Sequence, residues 1–320
     1  MSDRMPDRAS GQRIEAVFQA QHRRLWRLAY RMTGSAEDAD DAVQEAFVRL
    51  LRDPPACSEA ELGRWMVRVA THLAIDLLRR RKHRAYAGPW LPEPIERPDG
   101  ANDDPEARYG LAESATYAFL VALEALGPRQ RAALLLRDVL GYSAEEAAAV
   151  LATSAGSVRV LHLRARRALD GYDKQRCLPT AELHGRHRQA LASLLARLMA
   201  GDTPGVEALL AESVRTITDS AGEFSALSQP LVGRARVARF YLAAAAERAK
   251  CEPEVQLRTL NGLPAALIAL RRPLRRQAPR SVLRVELDGD GKIELVQALL
   301  ASRKLERVFR NGSASSPTSV

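Results

Sequence analysis

The segment SEAELGRWMVRVATHLAIDLLRRRKHR, residues 58–84, decides how the chain reads. Ser58-Glu59-Ala60-Glu61 has the form of a capping box, in which a hydroxyl caps a helical amide and a glutamate reaches back. Leu62, Trp65, Met66, Val69, Leu73 and Leu77 follow at helical spacing and predict the buried stripe. Arg64, Arg68, His72 and Arg79 fall roughly on the other face. The helix then ends in Arg79-Arg80-Arg81-Lys82-His83-Arg84, five fixed positive charges in six residues. Such crowding is costly unless an anion neutralises it, and a phosphate backbone does so with release of counterions. A solvated helix end, where cations complement the dipole, is the plainer explanation. The formal net charge of +9 favours nucleic acid.

Upstream, Ser35-Ala36-Glu37-Asp38 starts another helix. Its acids Glu37, Asp38, Asp40 and Asp41 lead into Gln44 and Glu45, with Val43, Phe47, Leu50 and Leu51 as the expected buried stripe. Acids favour a helix N-terminus in any case. Downstream, Pro89, Pro92, Pro94, Pro98 and Pro105 with the polar run Asp99 to Asp104 predict a linker, because proline removes a donor and breaks helices.

A second helical block follows. Gly127-Pro128 opens a helix with Ala132, Leu135, Leu136 and Val139; Ser143-Ala144-Glu145-Glu146 caps a short one with Ala147, Val150 and Leu151. After a turn at Ala152 to Gly156 comes a basic helix, with Val158, Leu161, Ala165 and Leu169 inward and Arg159, His162, Arg166 and Arg167 more exposed. Helix, tight turn and basic helix make the helix-turn-helix pattern, whose second helix enters the major groove.

Past Pro179 the texture changes. Two short helices are expected between His187 and Ala211, a further helix over Gly233 to Arg248, and strands at 214–218, 255–260, 265–270, 282–287 and 292–299. Asn261-Gly262 and Asp288-Gly289-Asp290-Gly291 are turns. This predicts an α+β domain, a curved antiparallel sheet wrapped on helices. Asp219 and Glu223 are the acid/base candidates there, though a turn explains both. His184 and His187 read as surface helix residues.

The 320 residues suit two or three domains, and 46% hydrophobic content supplies cores. Cys57, Cys177 and Cys251 are far apart and odd in number, so neither a disulfide framework nor a zinc site is expected. No apolar run is long enough to span a bilayer and the N-terminus lacks an apolar signal core. A cytoplasmic protein without membrane span, cofactor or metal is the expectation.

Ala36-Glu37-Asp38, Asp41, Gln44-Glu45-Ala46-Phe47 and Trp65 through Arg79 resemble the first conserved domain of extracytoplasmic-function sigma factors. That resemblance implies that Asp38, Asp41, Gln44 and Glu45 contact the clamp of RNA polymerase's largest subunit. It implies also that Arg64, Trp65, Arg68, His72, Arg79 and Arg80, with the loop Asp53 to Ser58, capture and melt the −10 element. His72 stands where the family often has Asn. Leu123 through Arg131, Gly141 through Ala148, Ser157-Val158-Arg159 and Arg164-Ala165-Arg166 are similar to the second conserved domain. They imply −35 contacts by Ser154, Ser157, Arg159 and His162, with phosphate contacts by Arg164, Arg166 and Arg167. Trp90-Leu91-Pro92-Glu93-Pro94 resembles the regulatory linker of a subgroup carrying a fused SnoaL-like (NTF2-like) domain, through which activity is modulated. Those relatives carry Asp-Gly-Gly-Gly-Lys where this chain has Asp219-Ser220-Ala221-Gly222-Glu223, and Asn-Pro-Asp-Lys-Leu where it keeps Lys304-Leu305.

The expected fold is multidomain: an all-α sigma domain 2 at 13–86, a linker at 87–110, an all-α sigma domain 4 with helix-turn-helix at 111–173, a SnoaL-like α+β domain at 180–310 and a disordered tail at 311–320. The expected partners are core RNA polymerase, promoter DNA, and a small ligand or regulator at the last domain. The expected function is promoter-specific initiation without catalysis. Two rivals are a helix-turn-helix regulator with a ligand-sensing domain and a SnoaL-like cyclase or isomerase. The first leaves the acidic helix unexplained, and the second requires inward acid/base residues.

Overall fold

The computed structural model describes residues 8–83, 86–96, 116–174 and 180–310. The expectations placed on Arg84, Pro98 to Pro105, Cys177 and the tail 311–320 lie outside these residues. The chain folds as two compact units, one built from the helical blocks and one from the linker together with the C-terminal residues.

In the helical unit, α1 (Arg8–Thr33) and α2 (Ala36–Arg52) pack together and against α3 (Glu59–His83). Ser35 caps α2 by accepting from the Asp38 amide. Val43, Phe47 and Leu50 are buried as expected, but Leu51 is 57% exposed, one step past the buried edge of the helix. On α3, Leu62, Met66 and Leu73 are buried while Trp65, Val69 and Leu77 are only partly so. Val67, Ala70, Thr71, Ala74, Ile75 and Leu78 are buried too. The buried surface is broader than one stripe because α3 also packs on two helices of the second block.

That block comprises α4 (Tyr117–Leu123), α5 (Pro128–Leu134), a π turn (Leu135–Val139), α6 (Ala144–Leu151), α7 (Ala155–Ala168) and α8 (Asp170–Lys174). The Ser143/Glu146 capping box forms, with Ser143 accepting from the Glu146 amide and Glu146 accepting from the Ser143 amide. Ala152 closes α6 in the left-handed region at φ 48°, and Ser154 caps α7 by accepting from the Ser157 amide. The inter-helix turn is therefore Ala152 to Ser154, shorter than the predicted span.

In the second unit, one 20-residue helix, α9 (Ala181–Ala200), and α10 (Thr203–Leu209) replace the two short helices expected. They precede β1 (Leu210–Asp219), β2 (Leu231–Val232), α11 (Arg234–Ala249), β3 (Pro253–Leu260), β4 (Leu263–Leu270), β5 (Arg280–Leu287), β6 (Ile293–Leu299) and α12 (Ser302–Arg310). The sheet order is β2-β1-β6-β5-β4-β3. It is mixed rather than purely antiparallel, because β1 and β6 pair in parallel. Asn261 and Gly262 turn β3 into β4 with both residues at positive φ, as a two-residue hairpin of this twist requires.

One sheet face, with Val214, Ala266, Ile268, Leu283, Val285 and Val296, forms the core with Leu191, Leu194 and Leu198 of α9 and Val237 and Tyr241 of α11. Tyr241 and Thr216 share a 2.6 Å hydrogen bond inside it. His187 lies 2% exposed on α9 rather than on the surface, because its ring turns to the Leu183 carbonyl, 2.9 Å away. Strand alternation puts Leu267, Val282, Arg284, Leu295, Gln297 and Leu299 on the other face, and they too are buried.

Candidate nucleic-acid interface

On α2, Asp38, Asp41, Gln44 and Glu45 recur at three- and four-residue spacing and so share a face. Asp41 and Gln44 are exposed, Asp38 and Glu45 half-buried, and Glu45 pairs with Arg49 at 2.9 Å. Their neighbour Asp40 is structural: it accepts from the Trp26 indole N–H at 2.6 Å, tying α2 to α1. Sequence alone ranks Asp40 with the other acids, since nothing in it reveals that partner.

On α3, Arg64, Arg68, Arg79 and Arg80 are exposed and Trp65 is half-buried. Arg79 reaches Asp76 at 3.1 Å, an exposed pair worth a few tenths of a kcal/mol at most. His72 departs from the open face expected of it. It is half-buried, with Nε2 2.9 Å from the Val150 carbonyl of α6. Hydrogen bonds donated by the Ser58 hydroxyl and amide hold the Glu61 carboxyl below the usual carboxylate range.

The recognition-type helix α7 exposes Ser154, Ser157, Arg159, Arg164 and Arg167. The two serines are joined at 2.9 Å, and Arg159 pairs with Glu145 at 2.7 Å on the surface. His162 and Arg166 are less exposed than expected. Both converge on Asp138 of the π turn, at 2.7 and 2.9 Å, so one carboxylate braces the helix from behind. Val160 and Leu163, 48% and 51% exposed, lie among the arginines. A surface of that composition has the chemistry to pair cations with phosphates and apolar groups with the methyl of thymine.

The linker residues belong to a different site. Leu91, Pro92, Glu93 and Pro94 are buried and Trp90 is half-buried on the second unit. Asp219, wholly buried, accepts from the Tyr86 hydroxyl at 2.6 Å, the Leu91 amide at 2.8 Å and the Lys304 ammonium at 2.8 Å. Lys304 also donates to the Leu91 carbonyl, and its ammonium sits 4.2 Å from the Trp90 ring centre and 4.8 Å from that of Tyr86. Further along, the Tyr117 hydroxyl donates to the Pro92 carbonyl, the Ile95 amide donates to Asn261, and Arg258 pairs with Glu96. Gly222, at φ +77°, lets the turn approach Ala87 so closely that an added Cβ would lie 2.9 Å from the Ala87 methyl. Asp219 is thus an anchor for the linker, not a group aimed into a cavity. Glu223 is engaged separately by the Ser302 amide. Lys304, the residue retained from the relatives' motif, is the partner that sequence alone left unassigned.

Among the described residues there is no cluster of His, Cys, Asp and Glu that could hold a metal, and no helix long and apolar enough to cross a membrane.

Comparison with known proteins gives two family matches, Sigma-70 region 2 over residues 17–84 and Sigma-70, region 4 over residues 117–169. The chain is 37% identical over 227 residues to the ECF RNA polymerase sigma factor SigJ of Mycobacterium tuberculosis, covering 70% of this chain and 71% of that one. It is 36% identical over 160 residues to the ECF RNA polymerase sigma factor SigE of Mycolicibacterium smegmatis, covering 50% and 61%. The crystal structure of M. tuberculosis SigJ superposes with a TM-score of 0.70 at 29% identity, covering 91% of this chain and 97% of that one.

Proposed function

The chain belongs to the extracytoplasmic-function sigma factors of RNA polymerase, and from that membership we propose how its parts divide the work of promoter recognition. The acidic face of α2, with Asp38, Asp41, Gln44 and Glu45, docks on the clamp of the largest subunit of core polymerase. Arg64, Arg68, Arg79 and Arg80 of α3 hold the backbone at the −10 element, while Trp65 and His72 meet the displaced bases. Opening a duplex needs a surface for unstacked bases and cations for the freed strand, and α3 carries both. On α7, Ser154, Ser157, Arg159 and the braced His162 read the −35 element, and Arg164 and Arg166 hold its phosphates. The protein works in the cytoplasm by binding rather than turnover. The C-terminal domain, with Trp90 to Pro94 seated on it, modulates the activity.

What supports this reading above all is one compact unit that displays an acidic helix face beside two arginine-bearing helices. Run-off transcription with purified core polymerase tests it. Charge reversal at Asp38→Lys and Asp41→Lys should lower holoenzyme assembly and transcript by at least about tenfold, the loss expected when complementary charges become like ones. Assembly that survives the reversal rules out the docking role of α2. A chain that never binds core polymerase would instead be a free-standing regulator.

A further inference from the structure

We infer that the C-terminal unit carries an anchor for an anionic membrane surface: the loop between β4 and β5 seats Leu274 in the bilayer interface while the arginines around it take lipid phosphates. The inference goes beyond the roles proposed above for α2, α3 and α7 and uses none of them. The loop runs Arg271-Arg272-Pro273-Leu274-Arg275-Arg276, and Arg280 opens β5. All five arginines are exposed, and Leu274, between the two pairs, is 53% exposed. Arg271 and Arg272 meet Glu254 and Glu252 at the surface, in pairs that water weakens and an incoming anion can replace. Arg275, Arg276 and Arg280 form no ion pair among the described residues. An all-arginine set suits phosphate, because each guanidinium offers a planar fork of donors and is weakly hydrated.

The loop is held in shape from behind. The Leu270 amide donates to the Pro279 carbonyl at 2.8 Å, and the Ser225 amide donates to the Arg276 carbonyl at 3.1 Å. Gln277 accepts from the Leu274 amide at 2.9 Å and from the thiol of buried Cys251 at 3.2 Å. Arg276 adopts φ 65°, so an arginine stands where the backbone alone favours glycine. A loop ordered in advance loses less entropy when it settles on a surface. Phosphate diesters are common to lipid and nucleic acid, and Leu274 decides between them. Nucleic-acid grooves are read by helices or two-stranded ribbons, whereas β4 and β5 are inner strands of a six-stranded sheet. A bilayer presents charged headgroups with acyl chains just beneath them. Leucine between two arginine pairs matches that layering, with the apolar side chain below and the cations at headgroup depth. The cytoplasmic leaflet carries the negative charge that such a loop requires.

The test floats the purified full chain with vesicles of phosphatidylcholine alone and of phosphatidylcholine mixed with phosphatidylglycerol. Duplex DNA of random sequence, read by fluorescence anisotropy, is the competing surface. The chain is expected to float with the mixed vesicles only, and less so as salt rises. Arg275→Gln/Arg276→Gln should lower that partition about 25-fold, at roughly fivefold for each cation near an anionic leaflet. Arg275→Lys/Arg276→Lys keeps the charges in place and should retain most of the partition, which separates loss of charge from loss of fold. Leu274→Ser should lower the partition about tenfold, as for a leucine side chain partly withdrawn from water, and leave DNA binding unchanged. No flotation with the mixed vesicles overturns the anchor. Flotation that Leu274→Ser leaves unchanged overturns the layered contact, and if the arginine-to-glutamine variant then loses DNA binding, the loop is a nucleic-acid surface instead.

Discussion

At the scale of single residues, Asp219 shows how a buried charge is made tolerable. With the Ala221 amide at 3.1 Å, it accepts four hydrogen bonds and faces one ammonium. A carboxylate removed from water survives only when so saturated, and removal of one partner from such a pair costs about 3 kcal/mol. Asp219→Ala should therefore speed hydrogen exchange at the Leu91 amide by on the order of a hundredfold, read by mass spectrometry on the peptide spanning 86–96. An unchanged rate would mean that apolar contacts alone hold the linker. His187 makes a different case. Burial holds its pKa below the usual histidine value, with the Leu183 carbonyl pulling the other way and Arg284, Arg186 and His184 adding to the depression. The fold disfavours the charged ring, whereas the unfolded chain takes up a proton near the ordinary histidine pKa of about 6.5. That contribution is flat above this pH, and stability is lost as the pH falls below it. His187→Leu should make the fall in Tm between about pH 7 and pH 5 shallower. An equal fall in both proteins would assign the acid sensitivity to other groups.

At the scale of elements, Ala152 ends α6 in a left-handed conformation that costs a side chain about 1 kcal/mol and glycine almost nothing. Ala152→Gly should raise Tm by a few degrees, and a fall would show that the methyl packs usefully. Elements whose periodicity comes from one local face were legible in the sequence. The capping boxes, the turn between α6 and α7, the Asn261-Gly262 hairpin and the five long strands fall close to where residue type alone puts them. What escaped was set by distant partners. The parallel pairing of β1 with β6 joins strands some 80 residues apart, and no local pattern encodes it. β2 spans only Leu231–Val232, too short to show alternation, and α12 lacked a distinct starting signal. The same reason explains the candidate site. The exposed arginines could be read from spacing, but Asp138 and Lys304 acquire their roles only when remote helices and strands meet.

At the scale of the whole molecule, each unit has its own buried core, so each should melt as its own cooperative transition. Calorimetry of the full chain with single-stranded DNA present should raise the transition of the helical unit and leave the other in place, because a ligand stabilises only the part that binds it. A shift of both together would show that DNA engages the C-terminal unit as well. Lys304 has a last consequence. Its ammonium rests on the face of Trp90, one of three tryptophans in the chain, and the other two, Trp26 and Trp65, lie on α1 and α3. An indole emits differently beside a fixed cation than in open water. The protein therefore holds a built-in optical gauge of its tether, and release of residues 86–96 can be followed by ultraviolet fluorescence, without any added dye, by comparing the chain with Trp90→Phe.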